Sequence, residues 1–253
     1  MDIDFANLQV QYQKYKDDID ITDDAASLIS ATDAVLNATG VDYVRVESDL
    51  ATGYDANATY GVNAADGAVL TSFSADIDFD VIDTAQAIAA EVTGTDIRDG
   101  SSNSASDLDD AETIFITGGS VNVADANVIQ NISGYNDGVS HSTIDYEIKD
   151  SVTNIKNSSD TVLTKGNINV TATNVANAMD GAALNAFTAD IDFDVADTAV
   201  NLADQVDGTN GAIGSLDDAA NIEVLSGTAV DVADAMSIQG ISGYTGAGDL
   251  DIE

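Results

Sequence analysis

The stretch SFSADIDFDVIDTAQAIAAEV at residues 72–92 recurs 114 residues later as AFTADIDFDVADTAVNLADQV at residues 186–206. A second stretch, LDDAETIFITGGSVNVADANVIQNISGY at residues 108–135, recurs as LDDAANIEVLSGTAVDVADAMSIQGISGY at residues 216–244. Similarity that returns in the same order along a chain is the sequence signature of a repeat protein. We therefore predict that the chain is built from two long repeats.

Each long repeat divides into two shorter sub-units, because residues 18–29 also resemble residues 143–155. The predicted organisation is an N-terminal segment or strand (residues 1–17), repeat 1 (18–142, with sub-units 18–75 and 76–142), repeat 2 (143–248, with sub-units 143–189 and 190–248) and a final segment (249–253). That final segment is predicted to be the opening strand of a further unit, or a strand that docks on a neighbouring molecule.

The order of elements within a sub-unit follows from its residue pattern. Apolar and acidic residues alternate over residues 76–81, which predicts a strand with one buried face. Asp83 precedes an Ala-rich stretch with helical spacing and is predicted to cap a short helix, as are Asp125, Asp197 and Asp234. A second strand is predicted at residues 113–117, followed by a second helix that is capped near Asn122 or Asp125.

This order of strands and helices predicts an α/β or β-rich fold class. The predicted architecture is a solenoid of strand–short helix–strand–short helix units with parallel strands. A β-sandwich-like pair of repeats is the alternative, because strands separated by loops can also pair antiparallel.

The chain carries 7 Lys and Arg against 45 Asp and Glu, which gives a formal net charge of −38. Such a surface repels nucleic-acid phosphates and anionic lipids, so neither is expected as a partner. No apolar run reaches the roughly 20 residues that a membrane span needs, so membrane insertion is not expected either. Only six of the acids are Glu, and this bias to Asp favours turns, helix caps and ligands for hard cations.

The alternating strands place carboxylates on one face, where like charges repel unless cations lie between them. Clusters of oxygen ligands select calcium, and we predict Ca²⁺ as a cofactor on this basis. The alternative is a solvated acidic face that is screened by salt. The candidate metal ligands are the strand residues Asp76, Asp78, Asp80, Asp190, Asp192 and Asp194 and the loop residues Asp99 and Asp207.

The strand motif followed by Asp-Thr-Ala and a spaced Ile or Leu resembles tandem repeats of very large bacterial surface and secreted proteins, common in marine cyanobacteria and their relatives. The motif stands at Asp83-Thr84-Ala85 with Ile88 and at Asp197-Thr198-Ala199 with Leu202. This resemblance implies a structural or adhesive role at the cell surface or outside the cell. The Gly-Gly-x-Gly-x-Asp calcium repeat that often accompanies such proteins is absent from this chain.

An enzyme is not expected. His141 is the only histidine and has no recognisable partner for a nucleophile–base pair, and no phosphate-binding Gly-rich motif is present.

We therefore predict a calcium-stabilised structural module of a surface layer (S-layer), filament or giant adhesin that assembles with copies of itself through its ends. The alternatives are a glycan- or surface-binding adhesin module and a virion fibre or decoration protein. The predicted assembly residues are Asp2, Ile3, Phe5, Leu250 and Ile252.

Overall fold

A computed structural model describes residues 19–39, 41–46, 61–93, 108–135, 146–166, 168–206, 215–225, 229–248 and 250–253. The chain forms two compact units, each described by itself. The first comprises Met1–Gly119 with Val128–Ser142, and the second comprises Ser120–Asn127 with Thr143–Glu253. Both units are mixed α/β structures in which short strands alternate with short helices.

The first unit contains strands β1 to β5 and helices α1 to α4. Its elements in chain order are β1 (Ile19–Asp23), α1 (Ala25–Ser30), α2 (Asp33–Leu36), β2 (Val41–Val46), α3 (Ala64–Thr71), β3 (Ile77–Asp78), β4 (Asp80–Asp83), α4 (Ala85–Thr93) and β5 (Thr113–Ile116). The predicted strand at residues 113–117 is thereby confirmed to within one residue.

The second unit contains strands β6 to β12, and helix α5 includes residues of both units. Its elements are β6 (Ser120–Val121), α5 (Val123–Ile129), β7 (Tyr146–Asp150), α6 (Val152–Lys156), α7 (Asp160–Thr164), β8 (Ile168–Ala172), α8 (Ala178–Leu184), β9 (Ile191–Asp192), β10 (Asp194–Thr198), α9 (Ala199–Val206), β11 (Asn221–Leu225), α10 (Val232–Gln239) and β12 (Tyr244–Gly248).

Strands that follow one another along the chain lie next to one another in the sheets. The sheet orders are β1-β2-β3 and β4-β5 in the first unit, and β6-β7-β8-β9 and β10-β11-β12 in the second. Every strand pair within the described ranges is parallel. Parallel neighbours need a crossover connection, and most of these crossovers contain a short helix. The antiparallel pairing that a sandwich requires does not occur in this part of the chain.

The core follows the alternation that the sequence predicts. Ile77, Phe79 and Val81 are buried in the first unit, and the matching residues Ile191, Phe193 and Val195 are buried in the second. The helices add one apolar face each, such as Ala199, Leu202, Ala203 and Val206 of α9. Apolar strand faces and helix stripes thus bury one another, which is the main source of stability in a layered α/β structure.

Glycine at one position of α3 and of α8 allows helix and strand to pack closely. A Cβ atom built on Gly67 would lie 2.9 Å from Val81 Cγ2, and one on Gly181 would lie 2.7 Å from Val195 Cγ2. The two sites match in the sequence repeat, so the repeated residues make the same contact twice.

The helix caps differ in part from the prediction. Asn122 caps α5, because its Oδ1 accepts the Asp125 N–H at 2.8 Å, and Asp231 caps α10 in the same way. Asp125 and Asp234 therefore lie in the first turn of their helices, where a carboxylate is favoured by the helix dipole.

Of the predicted strand at residues 249–253, the described residues 250–253 form one parallel bridge, between Ile252 and Val230, and the preceding strand β12 ends at Gly248. Of the predicted assembly residues, Leu250 is half-buried and Ile252 is exposed. Asp2, Ile3 and Phe5 lie outside the described residues.

Candidate functional site

The predicted metal ligands on the strands point away from the core. Asp76 is exposed and Asp78 and Asp80 are half-buried, while the apolar residues between them are buried. In the second unit Asp190, Asp192 and Asp194 are all exposed. Asp99 and Asp207 lie outside the described residues.

Each predicted strand that carries these carboxylates is interrupted at its phenylalanine. Ile77–Asp78 pairs with β2, whereas Asp80–Asp83 pairs with β5 in a different sheet. The same break at Phe193 separates β9 from β10. The prediction of one uninterrupted strand is therefore wrong at the phenylalanines, while the alternation of buried and outward-facing residues continues across them.

Asp78 and Asp194 have identified partners within the protein. Asp78, whose side chain is only 9% exposed, forms an ion pair with Arg45 at 3.2 Å between Oδ2 and Nη2. The Arg45 guanidinium also lies over the Tyr43 ring, 4.7 Å from its centroid. Asp194 Oδ1 accepts a hydrogen bond of 2.8 Å from the Asn221 side-chain amide. Within the described ranges no group of three or more Asp, Glu, His or Cys side chains is placed to hold a metal ion.

Three aspartates at or next to the ends of strands each bind two separate backbone segments, and we call them the carboxylate clasps: Asp83, Asp150 and Asp197. In each clasp Oδ1 accepts the N–H of the next residue, at 2.7 to 2.8 Å. The second oxygen accepts the N–H of the first residue of an earlier helix. These bonds are Ala64 N to Asp83 Oδ2 at 3.1 Å, Val123 N to Asp150 Oδ2 at 3.0 Å and Ala178 N to Asp197 Oδ2 at 3.0 Å.

A clasp joins two neighbouring strand–helix segments at a point where the helix has free donors. The first N–H groups of a helix have no partner within it, and the positive end of the helix dipole favours a carboxylate there. Asp83 and Asp197 were predicted to cap the helices that follow them. They instead bind the N-terminal N–H of the helix that precedes them along the chain, while Thr84 Oγ1 and Thr198 Oγ1 lie 3.3 Å from the N–H groups of Ala87 and Asn201.

The two clasps of the second unit accept a third hydrogen bond. Asn154 Nδ2 donates to Asp150 Oδ1 and Asn201 Nδ2 donates to Asp197 Oδ1, each at 2.7 Å. Burial alone would raise the pKa of both carboxyls. The hydrogen bonds from the side-chain amides and backbone N–H groups outweigh burial and hold the pKa of Asp150 and of Asp197 below its ordinary value.

The clasps do not follow from the capping rule, because that rule considers only one helix. Their signal is an apolar residue two positions before an Asp, with Thr or Ser directly after that Asp. Val81, Ile148 and Val195 supply the apolar residue in the three clasps. One junction uses an amide instead, because the Val152 N–H donates to Asn174 Oδ1 at 2.9 Å.

Three acidic residues of the first unit, Asp76, Asp109 and Asp110, repel one another at Asp110. Partial burial, with repulsion from Asp76 and Asp109, raises the pKa of Asp110. A raised pKa in the folded state means that the ionised carboxylate opposes folding, and that this effect disappears as the pH falls below the folded and unfolded values.

Asp110→Asn is therefore expected to stabilise the protein at pH 7, with a rise in Tm of about 1–2 °C, because a partly exposed charge contributes little. The gain should vanish near pH 3.5, where the carboxyl is protonated. Thermal melts at both pH values test this. Asp218→Asn, which removes one charge at the matching exposed position of the second unit, is the control. A less stable Asp110→Asn variant at pH 7 would contradict the expectation.

Comparison with known proteins gives no relative: no protein-family model, no curated protein and no solved structure matches the chain. Among the described helices, none is both long enough and apolar enough to cross a membrane. A proposal for function therefore draws on the residues of the chain itself.

Proposed function

We propose that this protein is a non-enzymatic structural module, in which each unit is a short solenoid of strand–helix coils. The observation that carries the proposal is the combination of parallel pairing between consecutive strands with clasps that join consecutive coils. In a solenoid each coil contacts only its neighbours, so stability is close to a sum of coil and junction terms. Such a structure lengthens by adding coils, which suits a spacer or scaffold.

The recurrence of whole junctions supports the solenoid. Val62 bridges Val81 in the first unit, and Ala176 bridges Val195 in the second. In both junctions the helix that follows the first residue donates its first N–H to an Asp two residues after the second. The repeat thus encodes a junction as well as a pattern of burial.

The location proposed for this module is the cell surface or the extracellular space, within a surface layer, filament or giant adhesin. The support is the resemblance of the Asp-Thr-Ala strand–helix motif to repeats of large bacterial surface proteins. The clasps give two residues of this motif, the Asp and the Thr, definite structural roles at Asp83-Thr84 and Asp197-Thr198.

Assembly through the ends is the third part of the proposal. Strand β1 pairs only with β2, and β12 pairs only with β11, within the described residues. A strand with one unpaired edge presents backbone N–H and C=O groups that another strand can bind. Head-to-tail contacts of this kind give open filaments when the rotation does not close into a ring.

Divalent cations, with calcium as the first candidate, are proposed to reduce the repulsion among the carboxylates. The net charge of −38 supports this part of the proposal. Ions that bind only the folded state stabilise it by mass action. The exposed residues Asp190, Asp192 and Asp194 are the first ligands to test, because they recur in position with Asp76, Asp78 and Asp80.

We expect calcium at roughly 5–10 mM to raise Tm by about 3–8 °C relative to the Tm measured in EDTA. This concentration exceeds the dissociation constants that are typical of extracellular calcium modules. Light scattering after size exclusion should show growth into oligomers under the same conditions. Sodium chloride at equal ionic strength controls for screening, and a triple Asn variant at residues 190, 192 and 194 tests the ligands. A monomer whose Tm is the same in calcium and in EDTA would contradict both the calcium and the assembly parts.

A further inference from the structure

Three neighbouring helices of the second unit expose large apolar side chains to solvent. Met179 of α8, Val200 of α9 and Met236 of α10 are 70%, 39% and 68% exposed, and the two methionines are the only ones among the described residues. Methionine is usually buried, and a single exposed apolar residue needs no explanation. A group on adjacent helices is different, because contiguous exposed apolar surface marks a site of interaction.

The three side chains occupy the same angular position on their helices. Helix α9 contacts both α8 and α10, and each of the three helices lies in a connection between successive parallel strands. The exposed residue directly follows a buried alanine in every case, namely Ala178, Ala199 and Ala235. Successive residues of a helix are rotated by about 100°, so the three side chains emerge on corresponding flanks. We call this group of Met179, Val200 and Met236 the apolar ridge.

The Asp197 clasp holds two members of the ridge on adjoining helix starts. Its carboxylate accepts the Ala178 N–H at 3.0 Å and the Thr198 N–H at 2.8 Å. Met179 directly follows Ala178, and Val200 stands two residues after Thr198. One side chain therefore fixes the start of α8 against the start of α9, and the ridge is carried by a rigid part of the fold.

The fold does not require large apolar residues at these positions. The matching residues of repeat 1 are all exposed and are small or polar: Ala65, Gln86 and Asn127. Asn127 is exposed although β7 and α6 follow α5 along the chain and Asp150 binds the first N–H of α5. The position of Met236 thus stays open to solvent beside a following strand–helix segment. The ridge is a property of repeat 2 that its packing does not explain.

The helices that carry the ridge bear acidic side chains and no basic ones. Asp180, Asp204 and Asp234 lie on α8, α9 and α10. Beyond Lys165 the sequence contains 15 Asp and Glu and no Lys, Arg or His. Such a negative field attracts a partner with basic groups around an apolar face, and it repels anionic lipid and a second chain with a net charge of −38.

We propose that the apolar ridge binds a basic amphipathic helix of another protein. The apolar face of that helix packs on Met179, Val200 and Met236, and its Lys and Arg side chains lie toward the surrounding carboxylates. Flexible methionine side chains adapt readily to such a face. This inference does not depend on assembly through the ends or on calcium.

The spacing of the ridge defines the apolar pattern of the partner. Packed helices lie about 8–10 Å apart, and a helix rises about 1.5 Å per residue. A helix that crosses α8, α9 and α10 therefore meets the next ridge residue after about six or seven residues of its own. Apolar residues at i, i+7 and i+14 fit this spacing, and they lie on one face of the partner helix.

A synthetic peptide tests the ridge in the full-length chain. The probe is a fluorescein-labelled helical peptide of about 18 residues with Leu along one face and Lys elsewhere. The comparison peptide has the same residues in scrambled order and hence the same charge. Fluorescence anisotropy in about 0.15 M NaCl, where the screening length is about 8 Å, should give a dissociation constant at least about tenfold lower for the amphipathic peptide. Equal binding of the two peptides would indicate attraction to net charge alone and would overturn the inference.

The matched variant introduces the residues of repeat 1, as Met179→Ala combined with Met236→Asn. It should weaken binding of the amphipathic peptide about tenfold or more and leave binding of the scrambled peptide unchanged, because the charge is the same. Leu225→Asn is the control, since it removes a 44% exposed apolar side chain from β11, away from the ridge, and should not alter the affinity. Thermal melts of both variants confirm that they are folded. An affinity that the double variant leaves unchanged would overturn the inference.

A second copy of the chain is the other occupant to test. Sedimentation velocity of the wild type and of the double variant should show the same degree of self-association, because the proposed partner is a different protein. Self-association that the double variant abolishes would assign the ridge to a contact between copies and would overturn the proposed partner.

Discussion

Gly243→Ala is expected to lower the free energy of unfolding by about 3 kcal/mol or more, at the upper end of what overpacking causes. A Cβ atom at this position would lie 2.2 Å from the carbonyl oxygen of Ala219, and this contact is with backbone rather than with a flexible side chain. Neither backbone segment can move freely. The Ala220 N–H donates to Phe193 O at 2.8 Å, and the Ile222 N–H donates to Gly243 O at 3.0 Å.

The expected consequence is the loss of pairing between β11 and β12, because the hydrogen bond to Gly243 O leads into that pair of strands. Urea unfolding followed by circular dichroism measures the change. Gly240→Ala is the control three residues away, since its added Cβ would lie 3.3 Å from the nearest atom and its φ of −81° suits any residue. A Gly243→Ala variant as stable as Gly240→Ala would show that the turn at residues 241–243 yields more easily than the contact indicates.

The repeat explains why much of the fold could be predicted from the sequence. Alternation around Phe79 and Phe193 is a local signal, and it correctly identified which side chains are buried. The interruption of the strand at these same phenylalanines could not be read from alternation. It depends on which neighbouring strands are available, since β3 pairs with β2 and β4 pairs with β5.

The partners of the predicted metal-ligand carboxylates could not be predicted from the sequence, because they are distant along the chain. Asp78 meets Arg45 across adjacent strands, and nothing near Asp78 in the sequence indicates that a cation lies beside it. The capping prediction identified the right chemistry, a carboxylate at a helix N-terminus, but assigned Asp83 and Asp197 to the wrong helix. Capping rules written for a single helix do not consider a contact with a neighbouring strand–helix segment.

The two units also show which residues the fold requires and which it leaves free to vary. Gly67 and Gly181 are both Gly, and Asp83 and Asp197 are both Asp, because helix packing and the clasp depend on them. Asn201 of the second unit is matched by Ala87 in the first, so the third hydrogen bond to the clasp is an addition that a junction can lack.

Asp197→Ala is expected to lower the free energy of unfolding by about 2–4 kcal/mol, since hydrogen bonds to a charged group are worth about 1.5–3 kcal/mol each and their effects are not additive. The change leaves three donors without their acceptor: the Ala178 and Thr198 N–H groups and the Asn201 amide. Asp192→Ala is the matched control, because Asp192 is exposed on the adjacent strand β9 and should change stability by no more than about 0.5 kcal/mol.

The pH dependence separates loss of the charged clasp from loss of side-chain packing. The pKa of Asp197 is lower in the folded state than in the unfolded state, so its carboxylate stabilises the fold above the unfolded value of about 3.9. That contribution is lost as the pH falls through the folded pKa. The difference between wild type and Asp197→Ala in urea unfolding should therefore be largest above about pH 5 and shrink below pH 4. A difference that stays constant down to pH 2.5 would mean that the ionised Asp197 carboxylate does not stabilise the contact between the strand and the preceding helix.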